Sequence, residues 1–91
     1  MSDLATTDLL MYRHAASRTG KQPDDAVFHA GHARGEFRFS TDPRLLGELL
    51  VLHTLNLHQL SGEWLAFRDG RSAYGATPGE AVCRWVLSHS V

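Results

Sequence analysis

The residues of this chain that could do chemistry are its six histidines, its one cysteine and a few carboxylates. His29-x-x-His32 has a spacing found at turn-borne metal sites, and Asp24-Asp25 lies just ahead of it. Zinc wants three or four ligands held by a further shell of hydrogen bonds. The remaining histidines are scattered: His14 and His89 lie toward the termini, and His53 and His58 flank a helix-to-strand corner. Surface histidines with a partly buried His53 account for the pattern, so no metal and no other cofactor is expected. Cys83 could pair with a histidine as a nucleophile, but it falls at helical spacing with Val82 and Val86. A cysteine placed so is more often a small core residue. Asp24 and Asp25 are neighbours in a loop-like stretch, better suited to solvation or capping than to acid–base work in a pocket. The Gly75-Ala76-Thr77-Pro78-Gly79 junction opens a helix, and such ends attract anions. No lysine or phosphate-loop glycine pattern accompanies it, and a capping role suffices. No catalytic constellation emerges, and the chain is expected not to be an enzyme.

The elements that must position these residues belong to one domain, residues 1–91. Nine Lys+Arg against ten Asp+Glu give a net charge of −1, and 43% hydrophobic residues support a thin core rather than disorder. Charge is also balanced locally, six basic and six acidic side chains in residues 1–45, three and four in 46–91. Without a basic stripe to neutralise phosphates, nucleic-acid binding is not expected. One cysteine excludes an intramolecular disulfide framework. No apolar run reaches membrane-span length, and no basic-then-apolar leader opens the chain, so a cytoplasmic protein without membrane contact is expected.

Hydrophobic periodicity predicts a first helix from Asp3 to Thr19, with Leu4, Ala5, Leu9, Met11, Tyr12, Ala15 and Ala16 on one arc. Residues 20–35 read as loop or hairpin: Ala26 to Ala30 fits a short strand or one helical turn, and Val27-Phe28-His29 could pair with the alternating run Glu36-Phe37-Arg38-Phe39-Ser40. Asp42 caps and Pro43 opens a leucine-rich helix to His53, whose Val51, with the following Leu55, lies outside the apolar arc. Ser61-Gly62 and Asp69-Gly70 are two-residue hairpin turns, so residues 55–76 predict a three-stranded antiparallel meander. Counting register from the turns places Leu65 beside His58 and Tyr74, and Phe67 beside Asn56 and Ser72. The other face carries Leu57, Ala66 and Ala73, with Trp64 beside Gln59 and Gly75. Both faces are half apolar, and a sheet of that kind needs cover on both sides. Thr77-Pro78-Gly79-Glu80 predicts a capping box that opens the last helix, with Ala81, Val82, Cys83, Trp85 and Val86 on one face and Glu80, Arg84 and Ser88 on the other. The fold class is therefore α+β: a small single domain with a three-stranded antiparallel meander packed with helices, and residues 26–40 left open as an extra N-terminal hairpin.

Within residues 37–88, Phe39-Ser40-Thr41-Asp42, the Gly62-Glu63-Trp64-Leu65-Ala66-Phe67 strand and Ala76-Thr77-Pro78-Gly79-Glu80-Ala81-Val82-Cys83-Arg84 together resemble the phage ABA sandwich domain family. The resemblance implies a phage or prophage origin and a small α/β fold, and no activity. The expected function is that of a phage-type accessory protein acting by binding, in the cytoplasm of a bacterial host. Inhibition of a host defence complex, as by anti-CRISPR proteins, is the use that analogy suggests. Its partner would be a host protein or complex, and a homodimer is a further expectation. The polar segment His29, His32, Arg34, Glu36 and Arg38, read as turn and edge strand, is expected to supply contacts. The surplus apolar residues Val51 and Leu55 and the Trp64 face would supply the rest. Two alternatives compete: a double-stranded-RNA-binding topology, weakened by the absence of lysines at the last helix, and a small-molecule sponge or hydrolase at His29–Arg38.

Overall fold

The computed structural model describes residues 4–89. Its elements run α1 (Leu4–Arg18), α2 (Asp25–Ala33), α3 (Pro43–His53), β1 (Asn56–Leu60), β2 (Glu63–Arg68), β3 (Arg71–Gly75) and α4 (Pro78–His89). Asp3 and the side chains of Leu4 and Ala5, part of the expected first helix, lie outside the described residues. The strands form one antiparallel sheet in the order β1-β2-β3. Its register is the one that the two turns dictate, with Leu65 opposite both His58 and Tyr74 and Ala66 opposite both Leu57 and Ala73. Asp69 and Gly70 take φ of 51° and 78°, as the tight hairpin requires.

Helix α4 is the centre of the molecule. It packs on β2 and β3 with one side and on α1 and α3 with the other. Burial therefore extends over most of its surface: Gly79, Glu80, Ala81, Val82, Cys83, Trp85 and Val86 are all buried. The Thr77 hydroxyl accepts the Glu80 N–H at 3.1 Å and starts the helix. Glu80 itself departs from expectation. It is buried rather than on a solvent face, and its carboxylate turns to Arg84 Nη2 at 2.7 Å instead of completing a capping box. Backbone contact is close at both ends of the preceding loop. A Cβ on Gly75 would overlap the backbone of Ala81, and one on Gly79 would overlap the Ser40 carbonyl. Trp85 is 5% exposed, and its indole N–H donates to the Arg71 carbonyl at 3.1 Å, tying α4 to the β3 end of the hairpin.

Of the alternatives open for residues 26–40 the hairpin is not formed; α2 stands in its place. The Asp24 carboxylate accepts the Ala26 N–H at 3.0 Å as an N-cap, and Asp25 sits in the first turn, where a carboxylate suits the helix dipole. Phe37 and Phe39 do not share a strand face. Phe37 is in the left-handed region at φ 57°. Its ring joins Tyr12 at 4.9 Å and Phe28 at 6.0 Å, in a small aromatic cluster between α1 and α2. Gly31 leaves the room for it, since a Cβ there would overlap the Phe37 ring. Phe39 instead packs against the main core.

A buried carboxylate ties these parts together. Asp8, 3% exposed, accepts from Ser40 N at 2.8 Å, Ser40 Oγ at 2.7 Å and His32 Nε2 at 2.8 Å. Replacing one partner of a buried charged network leaves the others desolvated and unpaired, at a cost of roughly 3–5 kcal/mol. Asp8→Ala should therefore lower the stability measured by urea unfolding by about that amount. A variant with an unchanged midpoint would show that the carboxylate holds nothing. At the other end of the core, Trp85→Ala should cost roughly 3–5 kcal/mol and Thr77→Ala on the order of 1 kcal/mol. Equal losses from the two variants would contradict the central place given to α4.

Candidate functional site: the open face of the sheet

Side chains alternate across a strand, and the register sorts this sheet into two unlike faces. The inner row Leu57-Ala66-Ala73, with Trp64 beside it, lies against α4; Ala66 is fully buried and Trp64 packs against the core. The outer face carries Asn56, His58 and Leu60 from β1, Glu63, Leu65 and Phe67 from β2, and Ser72 and Tyr74 from β3. None of these eight side chains is buried. Phe67 is 36% and Tyr74 47% exposed, and Leu60 and Leu65 are half-buried and belong to no core cluster. The result is an apolar strip of Leu60, Leu65, Phe67 and Tyr74 with hydrogen-bonding groups at Asn56, His58 and Ser72. Glu63 is its one charged residue. Clustered apolar side chains with a polar rim mark interaction sites.

The other expected contact residues are dispersed. Val51, 81% exposed, projects from α3 together with Leu52, 60% exposed. Leu55 follows the left-handed cap residue Thr54 and packs against the core, so it is not a surplus apolar residue. Trp64 lies on the face that α4 covers, the opposite side from the open strip. The polar segment is helix end and irregular loop, not hairpin edge, and most of its side chains have local work. His32 bonds Asp8; Arg34 pairs with Glu36 at 2.7 Å; Arg38 Nη2 donates to the His32 carbonyl at 2.9 Å and so helps to close α2. His29 stays exposed on α2 with its ring 5.3 Å from Phe28. Among the described residues no group of three or more His, Cys, Asp or Glu side chains is arranged to hold a metal ion. The Cys83 thiol is buried and pushed up to about 12, by desolvation first and then by the nearby Asp8 and Glu80 carboxylates. A thiol held in that form is a poor nucleophile.

His53 is the one histidine buried in the core region, 7% exposed. Burial lowers its pKa from the ordinary 6.5, reinforced by Arg18, His14 and Arg68. The fold therefore holds His53 neutral, while the unfolded chain takes up a proton near the ordinary value. The stability this contributes is complete above about pH 6.5 and is lost as pH falls toward the lower folded-state value. Wild-type stability should drop more steeply than that of His53→Gln between about pH 7 and pH 5. Identical slopes in urea titrations across that range would refute it.

The fold and this face define a class: a small α+β domain with a helix-backed, three-stranded antiparallel sheet open on its outer side. Compared with known proteins, the chain matches no family model, no curated protein and no solved structure. No helix among the described residues is long and apolar enough to cross a membrane.

Proposed function

We propose that this chain is a non-enzymatic binding protein that docks on another protein through the open face of its sheet. One observation carries the reading: Leu60, Leu65, Phe67 and Tyr74 form an apolar strip on one sheet face that none of the four helices among the described residues covers. All the strip's members but Leu60 sit on β2 and β3, the strands that α4 braces from behind, so the surface is rigid before it binds. Preorganised aromatic anchors are what tight interfaces use. A phage-type accessory role in a bacterial cytoplasm, with a host defence complex as target, is the finer form of the proposal. Its support is the resemblance carried by Thr77, Pro78, Ala81 and Cys83, which also build α4. An inhibitor that works by occlusion needs a surface and no reaction, which suits a face of this kind. A second copy is also an admissible partner, because a face with Glu63 as its one charge opposes little repulsion to itself. Double-stranded RNA recognition gains nothing from the geometry, since the open face carries no Lys or Arg.

The test compares two double variants in a bacterial host lysate, each first shown to be folded: Phe67→Glu with Tyr74→Glu, and Arg34→Glu with Arg38→Glu. The sheet-face pair should weaken retention of a partner that the wild type captures by about 2 kcal/mol or more, roughly thirtyfold. The loop pair should leave it within a few-fold. Loss of the partner with the loop pair alone would move the interface to α2 and the loop after it. A wild type that captures nothing and scatters light as a monomer would remove the reading.

A further inference from the structure

A second feature lies on the helix side of the β2–β3 hairpin, away from the open face. A cleft of about 410 Å³ is lined by His53, Arg68, Asp69, Arg71, Trp85 and His89, where the C-terminal ends of α3 and α4 converge on the Asp69-Gly70 turn. Its size lies within the range of small-molecule sites. Arg68 and Arg71 are directly opposite each other in the register and point to the same face. Like charges facing each other across an antiparallel pair repel, so the sequence places two guanidiniums where a sheet would not choose them.

Each has a partial structural role. Arg68 Nη1 donates to the His53 carbonyl at 2.9 Å, and Arg71 Nη1 reaches the His89 carbonyl at 3.5 Å, the limit of a hydrogen bond. Both bonds favour the carbonyl-rich helix ends. A guanidinium has five N–H donors, however, and among the described residues the two side chains commit only Arg68 Nη1 and Nε and Arg71 Nη1 to protein partners. The Arg68 Nε bond, 3.2 Å to the Asp69 carboxylate, already sets an anion on Arg68, supplied by a side chain that is 83% exposed and bonds nothing on Arg71. The rest of the lining is fixed. Trp85 is held by its bond to the Arg71 carbonyl, and His89 has its Nε2 3.2 Å from the Ser72 carbonyl.

We propose that this cleft binds a small phosphorylated molecule, whose phosphate bridges Arg68 and Arg71 in place of the Asp69 carboxylate. A phosphate offers acceptor oxygens in the geometry a guanidinium fork matches, and one dianion relieves the repulsion of both arginines. The site is independent of the sheet face and stands or falls separately from protein docking.

The experiment is a titration of the whole chain, followed by amide and indole NMR shifts, at matched ionic strength. The probes are inorganic phosphate, adenosine monophosphate, acetate and chloride. Saturable shifts at Gly70, Arg71 and the Trp85 indole are expected with both phosphates and not with chloride. Tighter binding of the nucleotide would mean that the cleft takes a phosphorylated organic molecule, and equal binding would reduce the ligand to the phosphate group itself, overturning the claim to a larger one. Arg71→Gln should weaken binding at least tenfold, since Arg71 holds the less committed guanidinium. Asp69→Asn should tighten it several-fold; asparagine suits the left-handed turn position as well as aspartate does, so its fold is retained. Binding that survives Arg71→Gln, weakens with Asp69→Asn, or is matched by acetate would overturn the proposal.

Discussion

The structure depends on a single buried carboxylate more than on any other group. Asp8 brings α1, α2 and the loop into α3 together by directed bonds rather than by apolar contact, where the Arg13–Asp25 pair joins α1 to α2 alone. Without it the Ser40 N–H and hydroxyl would be buried with no acceptor, and such groups each cost a few kcal/mol when left unpaired. The consequence reaches further than these three partners. Ser40 is pressed by its carbonyl against Gly79, at the first turn of α4, where no side chain would fit. Position is thus passed from α1 to the loop and from the loop to the start of the central helix. The N-terminal helical pair, which has its own aromatic cluster of Tyr12, Phe28 and Phe37, is in this way joined to the core built on α4.

The central helix explains why one sheet face is left open. A chain of this length has little apolar surface to spend, and most of it is committed around α4. Met11, Ala66, Val82, Val86 and Trp85 fill one cluster, with leucines from α3 at its edge. Placing α4 between the sheet and the other helices buries it on both sides but leaves nothing to lie on the far side of the strands. The glycines at 75 and 79 let α4 come close enough for that arrangement to be well packed. Apolar side chains on the outer face therefore contribute little to this monomer's core.

Where the chain states its own geometry locally, the structure could be read from the residues. Asp42-Pro43 and Thr77-Pro78 mark helix starts by capping and by a proline that loses no bond, and both helices begin there. Asp69-Gly70 fixes the β2–β3 register, and with it the identity of both sheet faces. Residues 25–40 stay open between strand and helix in the sequence because short apolar runs do not distinguish one strand from two helical turns. Phe37 and Phe39 alternate in sequence, yet a left-handed backbone at Phe37 sends the two rings to different clusters. The signal that could have decided it was Asp24, a capping residue followed by a second carboxylate. Asp8 went unread, although its place inside the apolar arc of the first helix was a signal, since a carboxylate there needs buried partners. Which sheet face is covered could not be read at all. Trp64 looks like the more exposed anchor by residue type, but α4 covers the face with the smaller neighbours because only small residues admit a helix so close.

Charge separates the two surfaces that remain after the fold is accounted for. The open face has Glu63 and no cation, so what it can offer is dispersion, desolvation and a few neutral hydrogen bonds. The hairpin cleft has two guanidiniums and one carboxylate with little apolar surface, so what it can offer is electrostatic and directional. Both are set by the same strand, β2, because alternation sends Leu65 and Phe67 outward and Trp64, Ala66 and Arg68 inward. The last of these inward positions falls beyond the cover of small residues, at the end of the ladder, where a long cationic side chain can reach a helix terminus. A shift of β2 by one residue would exchange the two sets and destroy both surfaces together. The Asp69-Gly70 turn, which forbids that shift, thereby sets the core register and also decides which chemistry each side of the sheet presents.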